Sequence, residues 1–276
     1  MPRQVANTIL SLAPHYQQEV EREDYEIILV ENRSNNLFEA RSMARNVPNL
    51  RYYLRRESFP TPVNAINYGA KRARGRYLAI MIDGARLVTP GIVRRSLECL
   101  EITDNATVGV PGYHLGSQVQ QESSLQGYDE VREQQLLQSI LWPDNGYRLF
   151  EIACLSKSCE HGLSAPLPES NWLALSRSRY FSLGGYEPGF NSHGGGYANH
   201  DMWRRACEAP EANTFVLAGE GCFHQYHGGA TTDARGKDMR QLLDELHAQY
   251  KSIRGKDFSP PDRPFTIKGD MPAQVG

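Results

Sequence analysis

The chain has 276 residues, 40% apolar and 22% charged, enough for one large α/β domain or two small ones. A formal net charge of −2 argues against a whole-molecule attraction to nucleic acid. No apolar run approaches the ~20 residues needed to span a bilayer. The 5 cysteines, an odd number with no C-x-x-C pair, read as reduced packing residues of a cytoplasmic protein.

Val5, Ile9, Leu12, Tyr16 and Val20 recur every three or four residues, so the chain opens on a predicted helix with one buried stripe. "YEIILV" (25–30) is a buried strand ending in the polar loop "ENRSNN". "TPVNAINYGAKRARG" (61–75) reads as a helix, with Pro62 in its first turn and Gly75 as its stop. Between Arg51 and Arg76 lie seven Lys/Arg and one acid, Glu57. They make a solvated face or a positive wall near an anionic substrate. "RYLAIMI" (76–82) is the next strand, Pro90 and Gly91 open a helix over 92–101, and "ATVGVPGYH" (106–114) is another strand. Helices alternating with apolar strands predict a mostly parallel central sheet flanked by helices.

Residues 115–130 read as a loop, 129–142 as an amphipathic helix, and 169–190 as a strand, a short helix and a glycine turn. A helix over 199–209, a strand over 213–221 and a helix near 237–253 follow. The last stretch, 256–276, holds four prolines and reads as an extended tail. A sheet of this kind usually starts with the strand that becomes its centre, whereas this chain opens on a helix. The expectation is that the first strand is missing from the N-terminus and lies upstream of Met1. The alternative is a sheet built without it.

Taken in order, these segments resemble the family-2 glycosyltransferases of the GT-A fold. "YEIILVENRSNN" is similar to that family's second strand and nucleotide-binding turn. "NAINYGAKRARGRYLAIMIDGARLVTPG" resembles its Asn-x-Gly helix and its acidic strand end followed by Pro-Gly. "ALSRSRYFSLGGYEPGF" looks like its acceptor-side segment, and "GGGYANHDMWRRACEA" resembles the helix that normally starts Glu-Asp-x-Asp. The resemblance runs over about residues 5–228. It implies one GT-A-like domain over 1–255, with a nucleotide-binding half (1–113) and an acceptor-binding half (114–255). It also implies transfer of a sugar from a nucleoside diphosphate, uridine diphosphate being favoured, to a hydroxyl of a saccharide or small metabolite. The setting it suggests is cell-surface polysaccharide synthesis, in the cytoplasm or at the inner face of the membrane.

Two positions depart from the family. Its Asp-x-Asp motif becomes Asp83-Gly84-Ala85, and its Glu-Asp pair becomes Ala198-Asn199. Asn cannot accept a proton at neutral pH. These losses support an alternative, a non-catalytic module that binds sugar nucleotide or saccharide. A nucleotidyltransferase on a similar sheet is a third reading, without the Gly-rich phosphate loop it would need.

Asp83, leaving a strand, is placed to bind ribose or a metal, or only to cap its turn. Arg86 beside it offers a fixed forked cation for a diphosphate, or is a surface residue. His224 and His227 in "FHQYHGG" offer imidazoles at a second strand end, a weak motif by itself; the resemblance to GT-A enzymes implies a phosphate or metal role for one of them, with Asp83, His224 and His227 as the expected metal ligands and ordinary hydrogen bonding as the alternative. Mn2+ or Mg2+ is the expected cofactor, with metal-independent action through Arg86 as the alternative. Glu31, Asn32 and Ser34 sit where open α/β sheets bind nucleotides, with Asn67 as a further contact. Plain turn chemistry is the competing explanation. For the catalytic base the candidates are Asp201, which could equally pair with Arg204 or Arg205 on its own helix, and Glu169. Trp172, Trp203 and Tyr197 could stack on a sugar, though aromatics at such spacing are more often core.

Overall fold

Pro14 ends the first helix early. Proline has no N–H to donate and its ring collides with the preceding turn. Helix α1 therefore runs only Pro2–Ser11, and the apolar positions beyond it continue as turns, where Tyr16 donates to the Val88 carbonyl at 2.8 Å. The computed structural model describes residues 1–228 and 236–271. After α1 come β1 (Ile27–Glu31), α2 (Ala40–Asn46), β2 (Leu50–Leu54), α3 (Val63–Arg72), β3 (Tyr77–Ile80), β4 (Arg86–Val88) and α4 (Ile92–Leu100). The middle holds β5 (Ala106–Gly109), β6 (Gly112–Leu115), α5 (Gln120–Ser123), α6 (Glu130–Ser139) and β7 (Ala153–Leu155). The last third holds β8 (Leu173–Ser176), α7 (Arg177–Ser182), α8 (Ala198–Glu208), β9 (Asn213–Leu217), β10 (Cys222–His224), α9 (Gly236–Arg254) and β11 (Phe265–Lys268).

The strands form three ladders, ordered β1-β2, β4-β10-β6-β7 and β11-β9-β5-β8-β3. Helices flank the central sheet as expected, but β8 runs antiparallel to both its neighbours, so the sheet is mixed. The stretch read as one strand over 106–114 is two. Pro111 offers no ladder N–H, and on its far side the chain leaves the central sheet as β6, pairing with β10. Strands β1 and β3 each keep one open edge among the described residues. Helix α3 packs on both, since Gly69 lies against Val30 and Ile28 while Val63 and Ala70 share a core with Leu78 and Ile80. The break in the sheet therefore falls between β1 and β3, under α3.

Phe265–Lys268, inside the proline-rich stretch, pairs in parallel with β9; residues 272–276 lie outside the described residues, as does Gly229 of the "HGG" turn. All five cysteines are free and only Cys154 is not fully buried. Arg51, Arg55 and Arg72 lie over the rings of Tyr53 and Tyr68, so that part of the basic run forms an aromatic-backed outer face. Trp172 and Trp203 are core, their indole N–H groups donating to Ser96 Oγ and to the Leu167 carbonyl. No helix among the described residues is long and apolar enough to cross a membrane.

Candidate active site

Strand register builds the site. His224 on β10 pairs across to Arg86 on β4 and to His114 on β6. Directly opposed residues project to one face of a sheet, so an arginine and two imidazoles form one row. Asp83 enters from the turn before β4 and His227 from the loop after β10. Asp83, His224 and His227 each bring a ligand atom within 4.8 Å of the others.

The turn at Asp83 is closed by its own chemistry. Its Oδ1 accepts the Ala85 N–H at 2.8 Å, an Asx-type turn. Gly84 is required by packing, since a Cβ there would stand 2.7 Å from Val5 Cγ2 on α1. Thr8, also on α1, donates to the Gly84 carbonyl at 2.9 Å and accepts the Arg86 N–H at 3.1 Å. The Arg86 guanidinium forks onto the carboxylate, Nη2 lying 3.1 Å from Oδ2 and Nε 3.3 Å from each oxygen. Burial would raise the Asp83 carboxyl, but the charges of Arg86 and His227 and the local hydrogen bonds outweigh it and hold it below the usual carboxylate range.

Gln120 sets the imidazole tautomers. Its Nε2 donates to the His224 carbonyl at 3.0 Å, which turns its Oε1 toward His224 Nδ1 at 2.6 Å. An amide oxygen only accepts, so His224 carries its proton on Nδ1 and presents the Nε2 lone pair. That lone pair faces His227 Nε2 at 3.1 Å. The Gln120 N–H donates to His114 Nδ1 at 2.9 Å. Burial, then the Arg86 charge, pushes His114 down to about 4 and His224 well below its ordinary value. His227 is lowered mainly by burial, against the pull of Asp83. All three imidazoles are therefore neutral at pH 7, the form that ligates metals.

The loop carrying His227 is clamped. Gln225 N–H donates to the Ala85 carbonyl at 2.8 Å, tying the two strand ends together. Buried Glu133 accepts the Tyr226 N–H at 2.6 Å, while Gln4 and Arg3 donate to the Tyr226 carbonyl at 2.8 and 3.2 Å.

Glu169 is the second carboxylate of this region. Its Oε1 accepts from Ser158 Oγ at 2.8 Å, and its Oε2 from Asn199 Nδ2 at 2.8 Å, with His200 Nδ1 3.7 Å away. Burial would raise this carboxyl, but His200, the two hydrogen bonds and the Arg86 charge hold it below the usual range. Asn199 thus orients Glu169, and Tyr186 in turn donates to Asn199 Oδ1 at 3.0 Å.

The other candidates have hydrogen-bond partners of their own. Asp201 is buried and held by Arg254 Nε at 2.6 Å and Arg205 Nε at 2.8 Å, so its oxygens join α8 to α9. Asn67 accepts from Tyr180 O–H and the Tyr186 N–H and donates to the Tyr186 carbonyl. It anchors the glycine turn at Gly185, where φ is +68° and a Cβ would stand 2.7 Å from Asn67 Oδ1. Glu31 accepts from Tyr52 O–H and the Phe38 N–H, Asn32 donates to the Phe59 and Thr61 carbonyls, and Ser34 bonds locally to Asn36. Among the described residues no hydrogen bond or ion pair links Glu31, Asn32, Ser34, Asn67 or Asp201 to Asp83 and its imidazoles. His114, Gln120 and Glu133 were not singled out from sequence. The alternation of "GYHLG" could have drawn attention to His114, but nothing local marks Gln120 or Glu133.

A family model described as glycosyl transferase family 2 matches residues 3–139. No curated protein matches the chain. Among solved structures, S. aureus TarS 1–349 in complex with UDP superposes with a TM-score of 0.56 at 9% identity, over 90% of this chain and 61% of that one. The same TarS fragment in complex with UDP-GlcNAc gives 0.57 at 10% identity, over 90% of this chain and 62% of that one. This chain thus spans about three fifths of those TarS chains.

Proposed function

The chain belongs to glycosyl transferase family 2, and we propose that it transfers a sugar from a uridine-diphosphate sugar to a hydroxyl acceptor. The observation that carries this reading is the convergence of Asp83, His224 and His227 at the ends of β4 and β10, beside Arg86. The UDP and UDP-GlcNAc bound to TarS support uridine diphosphate as the donor's nucleotide.

One carboxylate and two neutral imidazoles fit a divalent cation of the Mn2+ class. His224 is preset for it, with Nδ1–H held by Gln120 and the Nε2 lone pair turned toward His227 Nε2, a contact that a bound cation would replace. When bound, such a cation neutralises charge that develops on the departing diphosphate. Arg86 adds a fixed positive charge at the same place and keeps Asp83 ionised. Mg2+ is the alternative cation, and the Arg86 charge alone is the metal-independent route.

Glu169 accepts the acceptor's hydroxyl proton. The acceptor oxygen then forms its bond to the anomeric carbon as the bond from that carbon to the diphosphate breaks, and UDP leaves with the electron pair. Ser158 and Asn199 fix the carboxylate's orientation, and its lowered pKa keeps it ionised at neutral pH, while making it a weaker base than a carboxylate tuned toward that pH. Asn199 at the family's base position favours a second reading, a module that binds the nucleotide without transfer; in that case Glu169→Gln leaves every measured property unchanged. The test is thermal unfolding with UDP-sugars, with and without Mn2+. At a hundredfold excess over Kd, a ligand specific for the folded state stabilises it by about 2.7 kcal/mol. Absence of any shift across UDP-sugars contradicts the reading.

A further inference from the structure

A cavity of about 360 Å³ opens between the segment 158–168 and the segment 260–262, within the range of small-molecule sites. We propose that this cavity binds a neutral saccharide, and that it is the acceptor subsite of the transfer reaction above, on which the acceptor role rests.

Continuity with the chemistry is the first argument. Ser158 lies on the cavity wall, and its hydroxyl donates to Glu169 Oε1 at 2.8 Å. A sugar hydroxyl that donates to Ser158 Oγ would reach the carboxylate through that side chain, Ser158 passing its own proton to Glu169 as it takes the sugar's. His200 closes the other side of that carboxylate, its Nδ1 buried without a hydrogen-bond partner.

The lining chemistry is the second. Pro166, Pro168, Pro260 and Pro261 present rigid apolar rings, while His161 and Asp262 stand exposed with donor and acceptor atoms. A pyranose has the complementary make-up, apolar C–H faces edged by hydroxyls. Among the described residues no lysine or arginine lines the cavity, and Asp262 would repel an anion. The fit is to an uncharged sugar and not to a phosphorylated one.

The third argument is rigidity. The wall made by 260–262 is fixed on both flanks. Upstream, the Phe258 ring packs on Tyr197 and His200 with centroids 5.1 and 5.2 Å apart. Downstream, β11 pairs with β9. A preformed wall reduces the ordering cost of binding.

Saccharide-detected NMR titration of the full chain, without nucleotide, tests the assignment. The probes are neutral oligosaccharides ending in glucose, galactose or N-acetylglucosamine, and their 6-phosphates. The wild type is expected to bind at least one neutral probe in preference to its phosphate. The double variant His161→Ala/Asp262→Ala should bind it at least tenfold more weakly, with an unchanged melting temperature and unchanged UDP affinity. No binding of any neutral probe, preference for the phosphates, or equal affinity in the double variant overturns the proposal. A parallel UDP titration keeps the two readings apart: saccharide binding without UDP binding overturns the transfer reaction and leaves the saccharide site standing.

Discussion

Asp83 and Asp201 are both acids paired with arginine, yet the structure gives them opposite work. Asp83 is partly open, its side chain 23% exposed, and faces two neutral imidazoles. Asp201, at 2%, is enclosed by two guanidiniums. Asp201→Asn should therefore destabilise the fold by about 3 kcal/mol in urea unfolding, because it strands two arginine charges, and leave the UDP affinity of the folded protein intact. Glu169→Gln should behave in reverse. It should lower kcat by roughly 10²–10⁴ with donor binding and unfolding midpoint little changed. In the sequence these three acids were hard to rank. The partner that ties Asp201 down, Arg254, lies 53 residues along the chain, and Ser158 and Asn199, which present Glu169, lie 11 and 30 residues from it. Asp83 and the two histidines were legible because each leaves an apolar strand beside a glycine.

Long periodic elements such as α3, α4, α6 and α8 were readable from apolar spacing, and their ends moved by only a few residues. Short strands were not. β4 and β7 have three residues each, too few for a period, and exist because neighbouring strands complete their ladders. The split between β5 and β6 was hidden in one apolar run, although Pro111 marked it. Gly109, the last residue of β5, shows what the split demands. A Cβ there would stand 2.4 Å from the Trp203 ring and 2.9 Å from Ser170 Cβ. Gly109→Ala should cost about 1–3 kcal/mol by overpacking, read as a lower denaturation midpoint. It should also slow transfer, because Trp203 shares α8 with Asn199 and Ser170 adjoins Glu169. Strand β11 could not be read from a proline-rich segment, since its pairing depends on β9, some fifty residues earlier.

Across the molecule, buried titratable groups set the pH dependence of folding. His114, at about 4 when folded, and His224 and His227, also lowered, bind more protons unfolded than folded at mildly acid pH. Their contribution is complete above about 6.5 and is lost as pH falls toward 4, roughly 3 kcal/mol for His114 alone. Glu133 works the other way. Burial raises it to about 7, so its contribution is complete below its unfolded value and is lost as pH rises through 7. Stability measured by chemical denaturation should climb from pH 4 to 6.5. His114→Gln should flatten the climb and Glu133→Gln should steepen it. The fold class and the strand-end location of the site were evident from the order of elements.

Calorimetric titration of UDP into the protein with Mn2+ present, for the wild type and for His224→Ala/His227→Ala, tests most directly whether Asp83 and the two imidazoles hold a nucleoside diphosphate. The wild type should bind UDP, and the double variant should bind it at least tenfold more weakly while remaining folded by circular dichroism. Equal UDP affinity in the two proteins, or none in the wild type, contradicts the assignment of this site.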